Sequence, residues 1–195
     1  MKKILIAGLL GGLVNFVWGA VWHMALPVGK AGLSRIPDEG PVLGAVQAHV
    51  REPGLYSFPW MEVPAGASAE RKEAIEKEWA EKYRHGPSGL LILRRSGEEP
   101  MRPAQLLTEF GSNVLCAIVA AALLCRAAKG GTGFLGRAGF CALLGFFASV
   151  SIDASYWNWY GFPTSFTLAS LVDQTVGWGL AGLAIGAVVR NPPAP

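Results

Sequence analysis

Three acidic residues of this chain lie inside or beside long apolar segments, where a carboxylate is costly unless it is paired, protonated or hydrated. They are Glu109, Asp153 and Asp173. Every other acidic residue lies between residues 28 and 103. Ionisable groups inside a membrane commonly mark an ion path, a proton relay or a ligand site. The three acids are therefore the first candidates for chemistry, and they could hold a cation, a proton or a polar headgroup.

The positions of these acids along their apolar segments place them at comparable depth. Glu109 and Asp173 lie a few residues inside one predicted face of the membrane, and Asp153 and His23 lie at that same face. We expect one polar pocket, in which Glu109 and Asp173 are the strongest functional candidates. The alternative is a structural hydrogen-bond cluster that fixes helix register. The candidate cluster consists of Glu109, Asp173, Asp153, Asn113, Gln174, Asn15 and His23.

Four apolar segments must position these residues. They cover residues 4–26, 104–125, 134–154 and 165–189. Each is close to the roughly 20 residues that a helix needs to cross a bilayer. The first segment is predicted to be an uncleaved span rather than a signal peptide, because a cut after Ala20 would leave Trp18 where a small residue belongs. The sequence thus predicts an α-helical membrane protein with four transmembrane helices.

Basic residues in the short connections set the predicted orientation. A single topology places all of them on the cytoplasmic side: Lys2, Lys3, Arg126, Lys129, Arg137 and Arg190. We therefore expect a multi-pass protein of the bacterial inner membrane with both termini in the cytoplasm. Residues 1–27 form the first transmembrane helix, residues 28–103 face outward, and residues 104–195 hold the other three helices and a short cytoplasmic tail.

The outward segment, residues 28–103, is predicted to be a small extracytoplasmic α+β cap inserted between helices 1 and 2. The expected elements are strands over 54–58 and 90–94 and helices over 42–50 and 69–83. Ser68 has the residue type and place of a helix N-cap. A segment of about 75 residues is near the lower limit for a self-supporting core. We therefore expect this cap to lean on the membrane helices or on a partner.

Four large aromatic rings follow the third apolar segment, in what the sequence predicts to be the turn between the third and fourth helices. They are Tyr156, Trp157, Trp159 and Tyr160. Such rings gather at membrane interfaces, and tryptophan and tyrosine are also favoured at protein contacts. We expect this run to contact lipid or a partner. The pairs Gly8–Gly12 and Gly182–Gly186 have the GxxxG spacing of closely packed membrane helices.

Several classes of function are disfavoured. The sequence contains no Walker loop, GxSxG, HExxH or dinucleotide motif, so we predict no catalytic residues. Cys116, Cys125 and Cys141 all lie in the predicted spans, without the spacing of a disulfide framework or a zinc site. We therefore expect neither a metal nor a cofactor. The net charge is only +3, and acids are mixed with bases, so nucleic acid is not an expected partner.

The opening Gly-Leu-Val-Asn-Phe-Val-Trp-Gly-Ala-Val-Trp, at residues 12–22, and the four-helix plan resemble small uncharacterised bacterial membrane proteins with a Gly/Trp-rich first span. This resemblance implies no activity. We expect a non-enzymatic accessory or structural subunit of a larger membrane complex, whose partners are the lipid bilayer and other subunits or a second copy. The alternative is a small transporter or an ion- or proton-coupled carrier that uses Glu109 and Asp173. A lipid-acting enzyme using these acids and His23 is the third reading.

Overall fold

The computed structural model describes residues 1–94, 97–127 and 132–189. The chain divides into two compact units. The four-helix unit comprises Met1–Ser34 and Glu99–Pro195, and the αβ unit comprises Arg35–Glu98. The elements in chain order are α1 (Lys2–Ala20), a π-helical turn (Val21–Ala25), a 3-10 turn (Pro27–Lys30), α2 (Glu39–His49), β1 (Gly54–Phe58), α3 (Ala69–His85), β2 (Gly89–Leu93), α4 (Pro103–Ala127), α5 (Phe134–Tyr160) and α6 (Thr164–Val188).

Within the part of the chain that the structure describes, four helices are long and apolar enough to cross a membrane: Lys2–Ala25, Pro103–Ala127, Phe134–Tyr160 and Thr164–Val188. This confirms the prediction of a mostly helical protein with four candidate spans. The helices pack as a row in the order α5, α6, α1, α4, because α5 packs on α6, α6 on α1, and α1 on α4. Helix α4 makes only minor contact with α5 and α6. The row is therefore not closed between α4 and α5.

Glycines bring the helices of this row close together. A Cβ atom added at Gly12 would lie 2.5 Å from the Val114 Cα atom of α4, and one added at Gly182 would lie 2.9 Å from the Ala138 Cα atom of α5. Each GxxxG pair therefore contains a glycine at which the backbones of two helices approach closely. Small side chains dominate the core that results, which includes Ala7, Ala117, Ala120, Ala121, Cys141 and Ala181.

The aromatic run does not form a turn, and that prediction is wrong. Helix α5 continues through Tyr156–Tyr160 and ends at Gly161, whose φ of 71° is left-handed. Glycine adopts this conformation without the steric cost that other residues incur, and it commonly ends helices. The turn is thus limited to the residues between Tyr160 and Thr164. The indole N–H of Trp157 donates a hydrogen bond to Thr164 Oγ1 across it, at 3.1 Å.

Over its described residues, 35–94 and 97–98, the αβ unit contains two helices and an antiparallel two-stranded sheet. Strands β1 and β2 pair in a register that runs from Gly54 opposite Leu93 to Phe58 opposite Gly89. The Ser68 side chain accepts a hydrogen bond from the Arg71 backbone N–H, which confirms the predicted N-cap of α3. Helix α3 joins the strand segment through the Trp79 indole, which donates to the Pro59 carbonyl at 3.0 Å.

Helix α3 is otherwise a solvated, charged helix. Ion pairs join Lys77 to Glu73 at 2.8 Å and Lys82 to Glu78 at 2.7 Å, both at the i,i+4 spacing. The hydrogen bond from Lys82 lowers the pKa of the Glu78 carboxyl below its ordinary value, and the ammonium charge adds to this effect. These pairs are exposed, so they support the helix without providing a core.

Candidate functional site

A cavity of about 880 Å³ lies within the four-helix unit, where α4 and α5 do not close the row. We call this cavity the groove. Helices α1, α4 and α6 line most of it, and α5 contributes Leu144 and Ala148. Its lining includes a band of polar side chains: Asn15, Trp18, His23, Glu109, Ser112, Asn113, Asp173 and Gln174.

One side of the polar band joins α1 to α4. The Asn15 side chain donates from Nδ2 to Asn113 Oδ1 at 2.7 Å. Asn113 in turn donates from its own Nδ2 to Glu109 Oε1, one helical turn away, at 3.0 Å. Asn113 is only 8% exposed, whereas Glu109 is exposed. The result is a short hydrogen-bonded chain that leads from the α1–α4 contact to an accessible carboxylate.

The other side of the band joins α1 to α6. Asp173 is 7% exposed, and its Oδ1 atom accepts a hydrogen bond from the Trp18 indole at 2.8 Å. His23 Nε2 lies 3.7 Å from Asp173 Oδ2, and the His23 side chain is 64% exposed. Gly177 makes room for this arrangement, because a Cβ atom there would lie 2.6 Å from Trp18 Cδ1 and 2.8 Å from Asn15 Oδ1.

The π-helical turn at the end of α1 places His23 next to Asp173. The Leu26 N–H donates to the carbonyl of Val21, five residues earlier, at 3.1 Å. This spacing defines a π-helical turn, which is wider than an α-helical one. Within the turn, Trp22 is buried with its ring 5.6 Å from that of Trp18. Single π-turns are found frequently at functional sites. No feature of the sequence indicates this one.

Six of the predicted cluster residues line the groove: Asn15, His23, Glu109, Asn113, Asp173 and Gln174. Asp153 does not line it. Its Oδ2 atom accepts hydrogen bonds from Ser149 at 2.5 Å and from Ser170 at 2.6 Å, in a separate contact between α5 and α6. Since α5 continues to Tyr160, Asp153 also lies about two turns inside the helix rather than at its end.

Trp18 is not among the predicted cluster residues, although its indole donates a hydrogen bond directly to Asp173. A signal was present, because Trp18 is three residues from Asn15 and shares its helix face. Gln174 accepts from the Trp178 indole at 3.3 Å, within one turn of α6. Trp178 also lines the groove, so indoles border the polar band on both α1 and α6.

The groove presents carboxylates, amides and the His23 imidazole. The Glu109 and Asp173 carboxylates accept side-chain hydrogen bonds from Asn113 and Trp18, and ionised carboxylate oxygens can accept further donors or a positive charge. Among residues 1–94, 97–127 and 132–189, no group of three or more His, Cys, Asp or Glu side chains is placed to hold a metal ion. The groove is therefore a candidate binding site.

Comparisons of the chain with protein-family models, with curated proteins and with solved structures find no match. The resemblance of residues 12–22 to small bacterial membrane proteins accordingly stays a prediction. Function must be inferred from the two units themselves.

Trp18→Phe tests the hydrogen bond that joins α1 to α6. The substitution keeps an aromatic ring but leaves the buried Asp173 carboxylate without its indole donor, so we expect a loss of about 1 kcal/mol in the free energy of unfolding. The measurement is thermal or denaturant unfolding in detergent. Trp22→Phe is the matched control, because Trp22 is buried and its indole makes no side-chain hydrogen bond within the described chain. Equal losses in the two variants would contradict a specific role for the Trp18 donor.

Proposed function

We propose that this protein is a non-enzymatic integral membrane protein that acts as an accessory or structural subunit of a larger membrane complex. The observation that supports this most is in the αβ unit. Among its described residues, 35–94 and 97–98, none is buried. Large apolar side chains are instead exposed, including Leu55 at 67%, Ile92 at 72% and Trp60 at 73%.

The exposed face of the sheet is suited to a protein contact. Leu55 and Ile92 are paired across the two strands, so their side chains lie on the same face. A two-stranded sheet is only marginally stable unless its face packs against another layer. Large exposed apolar patches commonly mark interaction sites, and tryptophan, as at Trp60, is enriched among residues that dominate binding energy. A second protein that covers this face would supply the missing layer.

The proposed setting is the bacterial inner membrane, with four helices crossing the bilayer. Both termini lie in the cytoplasm and the αβ unit lies on the outer side, where it meets the extracytoplasmic part of the partner. The basic residues at Lys2, Lys3, Arg126 and Arg137 support this orientation, because lysine and arginine concentrate in short cytoplasmic connections. The exposed rings of Trp157 and Trp159 then contact lipid or a partner's membrane segment.

A second candidate function is transport by a small ion- or proton-coupled carrier. It is favoured by one observation, that Glu109 and Asp173 line the same groove. Flux into proteoliposomes under an imposed ion or proton gradient tests it, with Glu109→Gln and Asp173→Asn as variants. If both variants carry the same flux as the native chain, these acids are not the coupling groups and this candidate fails.

The test of the subunit proposal is affinity purification from native membranes in a mild detergent, followed by mass spectrometry of the retained proteins. We expect a stoichiometric set of other membrane proteins. Leu55→Lys combined with Ile92→Lys should reduce their recovery about tenfold or more, because each lysine would place a charge in the apolar contact.

The control for this experiment adds the same charge at other sites. Gln47→Lys combined with Ala74→Lys places two lysines at exposed positions of α2 and α3 and should leave recovery unchanged. A native protein that is monodisperse and free of other proteins would contradict the proposal. So would equal recovery with the sheet variant and with its control.

A further inference from the structure

The groove has a strongly one-sided charge. Among the described residues that line it, Glu109 and Asp173 are acidic and none is lysine or arginine. Its remaining ionisable side chains are His23, which already faces Asp173, and Cys116. A cleft with low-dielectric walls and charges of one sign concentrates ligands of the opposite sign. The field in this groove therefore favours a cation and disfavours anionic headgroups.

Both carboxylates retain capacity to accept hydrogen bonds. Asn113 donates to Glu109 Oε1, and Trp18 donates to Asp173 Oδ1. His23 Nε2 lies 3.7 Å from Asp173 Oδ2, which is beyond hydrogen-bond distance. An ionised carboxylate accepts through both of its oxygens. Glu109 and Asp173 can thus each take a further donor or a positive charge.

The groove continues beyond the acids as an apolar surface. Leu115, Val119 and Leu123 line it on α4, at the four-residue spacing that places them in a row. Leu144 of α5 and Trp178 of α6 also line the groove. From Glu109 to Leu123 the helix rises about 20 Å at 1.5 Å per residue. The distance from Glu109 to the end of the apolar row is therefore long enough for a charged head followed by an extended hydrocarbon chain.

We propose that the groove binds an amphiphilic organic cation, with its ammonium group between Glu109 and Asp173 and its hydrocarbon chain along Leu115, Val119 and Leu123. The two carboxylates attract the ammonium group, and the apolar row on α4 packs against the hydrocarbon chain. Indoles border the polar band at Trp18 and Trp178, and aromatic faces attract quaternary ammonium groups. This site is in the four-helix unit, so it does not depend on the partner proposed for the αβ unit.

The experiment uses the full chain in maltoside micelles and 12-bromododecyltrimethylammonium as the probe. Bromine on the chain quenches nearby indole fluorescence, and the indoles of Trp18 and Trp178 line the groove. We expect saturable quenching of the native protein. Glu109→Gln and Asp173→Asn should each weaken the affinity about tenfold or more, since each removes one charge partner of the ammonium group.

The matched control is Asp153→Asn. It removes the same charge from a membrane helix, but Asp153 accepts hydrogen bonds from Ser149 and Ser170 outside the groove. The Asp153→Asn variant should therefore bind the probe with the same affinity as the native chain. Glu109 is exposed, and glutamine keeps an oxygen that can accept from Asn113. The Glu109→Gln variant should therefore fold and allow a test even if Asp173→Asn is unstable.

Three outcomes would overturn the proposal. The first is saturable quenching of equal strength by 12-bromododecyl sulfate, which has the same tail and an anionic head. The second is an unchanged affinity in Glu109→Gln, or a loss in Asp153→Asn as large as that in the groove variants. The third is complete displacement of the probe by tetramethylammonium at the concentration at which the probe itself saturates. That result would identify a simple cation site in which the tail has no role.

Discussion

Gly182→Leu is expected to abolish recovery of folded, monodisperse protein. A Cβ atom at residue 182 would lie 2.7 Å from Cys141 Cβ and 2.9 Å from Ala138 Cα. The second of these is a backbone atom, so a rotamer change cannot relieve the clash. Helices α5 and α6 form the most extensive contact of the four-helix unit, and a leucine there would force them apart. The expected cost exceeds about 3 kcal/mol, the upper range for overpacked cores.

The measurement for Gly182→Leu is size-exclusion chromatography after detergent extraction, together with thermal unfolding of any protein recovered. Gly139→Leu is the matched control, because a Cβ atom at Gly139 would meet nothing within 4 Å and the residue is exposed. That variant should be recovered like the native chain. Normal recovery of Gly182→Leu would mean that α5 and α6 do not pack through this glycine.

Asn113→Leu is expected to lower the free energy of unfolding by about 2 kcal/mol, and a second substitution should restore most of that loss. Leucine removes the acceptor of the Asn15 amide, and an unpaired polar group in an apolar interior costs about 1–3 kcal/mol. Asn15→Leu combined with Asn113→Leu removes both partners. Replacing both members of a buried pair by apolar side chains of similar shape can be nearly neutral.

A double-mutant cycle on unfolding in detergent measures this recovery. The loss in the double variant, compared with the sum of the two single losses, is the coupling energy between Asn15 of α1 and Asn113 of α4. Glu109, the other partner of Asn113, is exposed, so losing its hydrogen bond adds little to the cost. If the loss in the double variant equals the sum of the two single losses, Asn15 and Asn113 do not stabilise the protein through their hydrogen bond.

The helices can be predicted from the sequence because the length and hydropathy of a segment are local properties. Four apolar segments predict four candidate spans, and Ser68 predicts the start of α3 because an N-cap needs only its own side chain and the next turn. The hydropathy pattern does not indicate the end of α5, because polar residues interrupt the apolar run before Tyr156, whereas the helix itself stops only at the left-handed Gly161. Aromatic residues suit a membrane interface whether or not the backbone is helical.

The groove was predictable in part because depth along a helix can be read from residue number. Residue number places Glu109 and Asp173 at one level, and both line the groove. Depth alone does not predict that Asp153 lies outside the groove, because residue number does not give the order of the helices in the row. The direction a side chain faces also depends on local winding, so the π-helical turn that places His23 beside Asp173 was not foreseen.

The unclosed side of the helix row has a consequence for how a solute would arrive. Leu115 and Val119 are exposed there, and in a bilayer they would face hydrocarbon rather than water. A molecule entering between α4 and α5 would first dissolve in the lipid and then diffuse in two dimensions. Occupancy of the groove would then follow the partition coefficient of the solute, and two cations of equal aqueous concentration would differ in occupancy according to their solubility in the membrane.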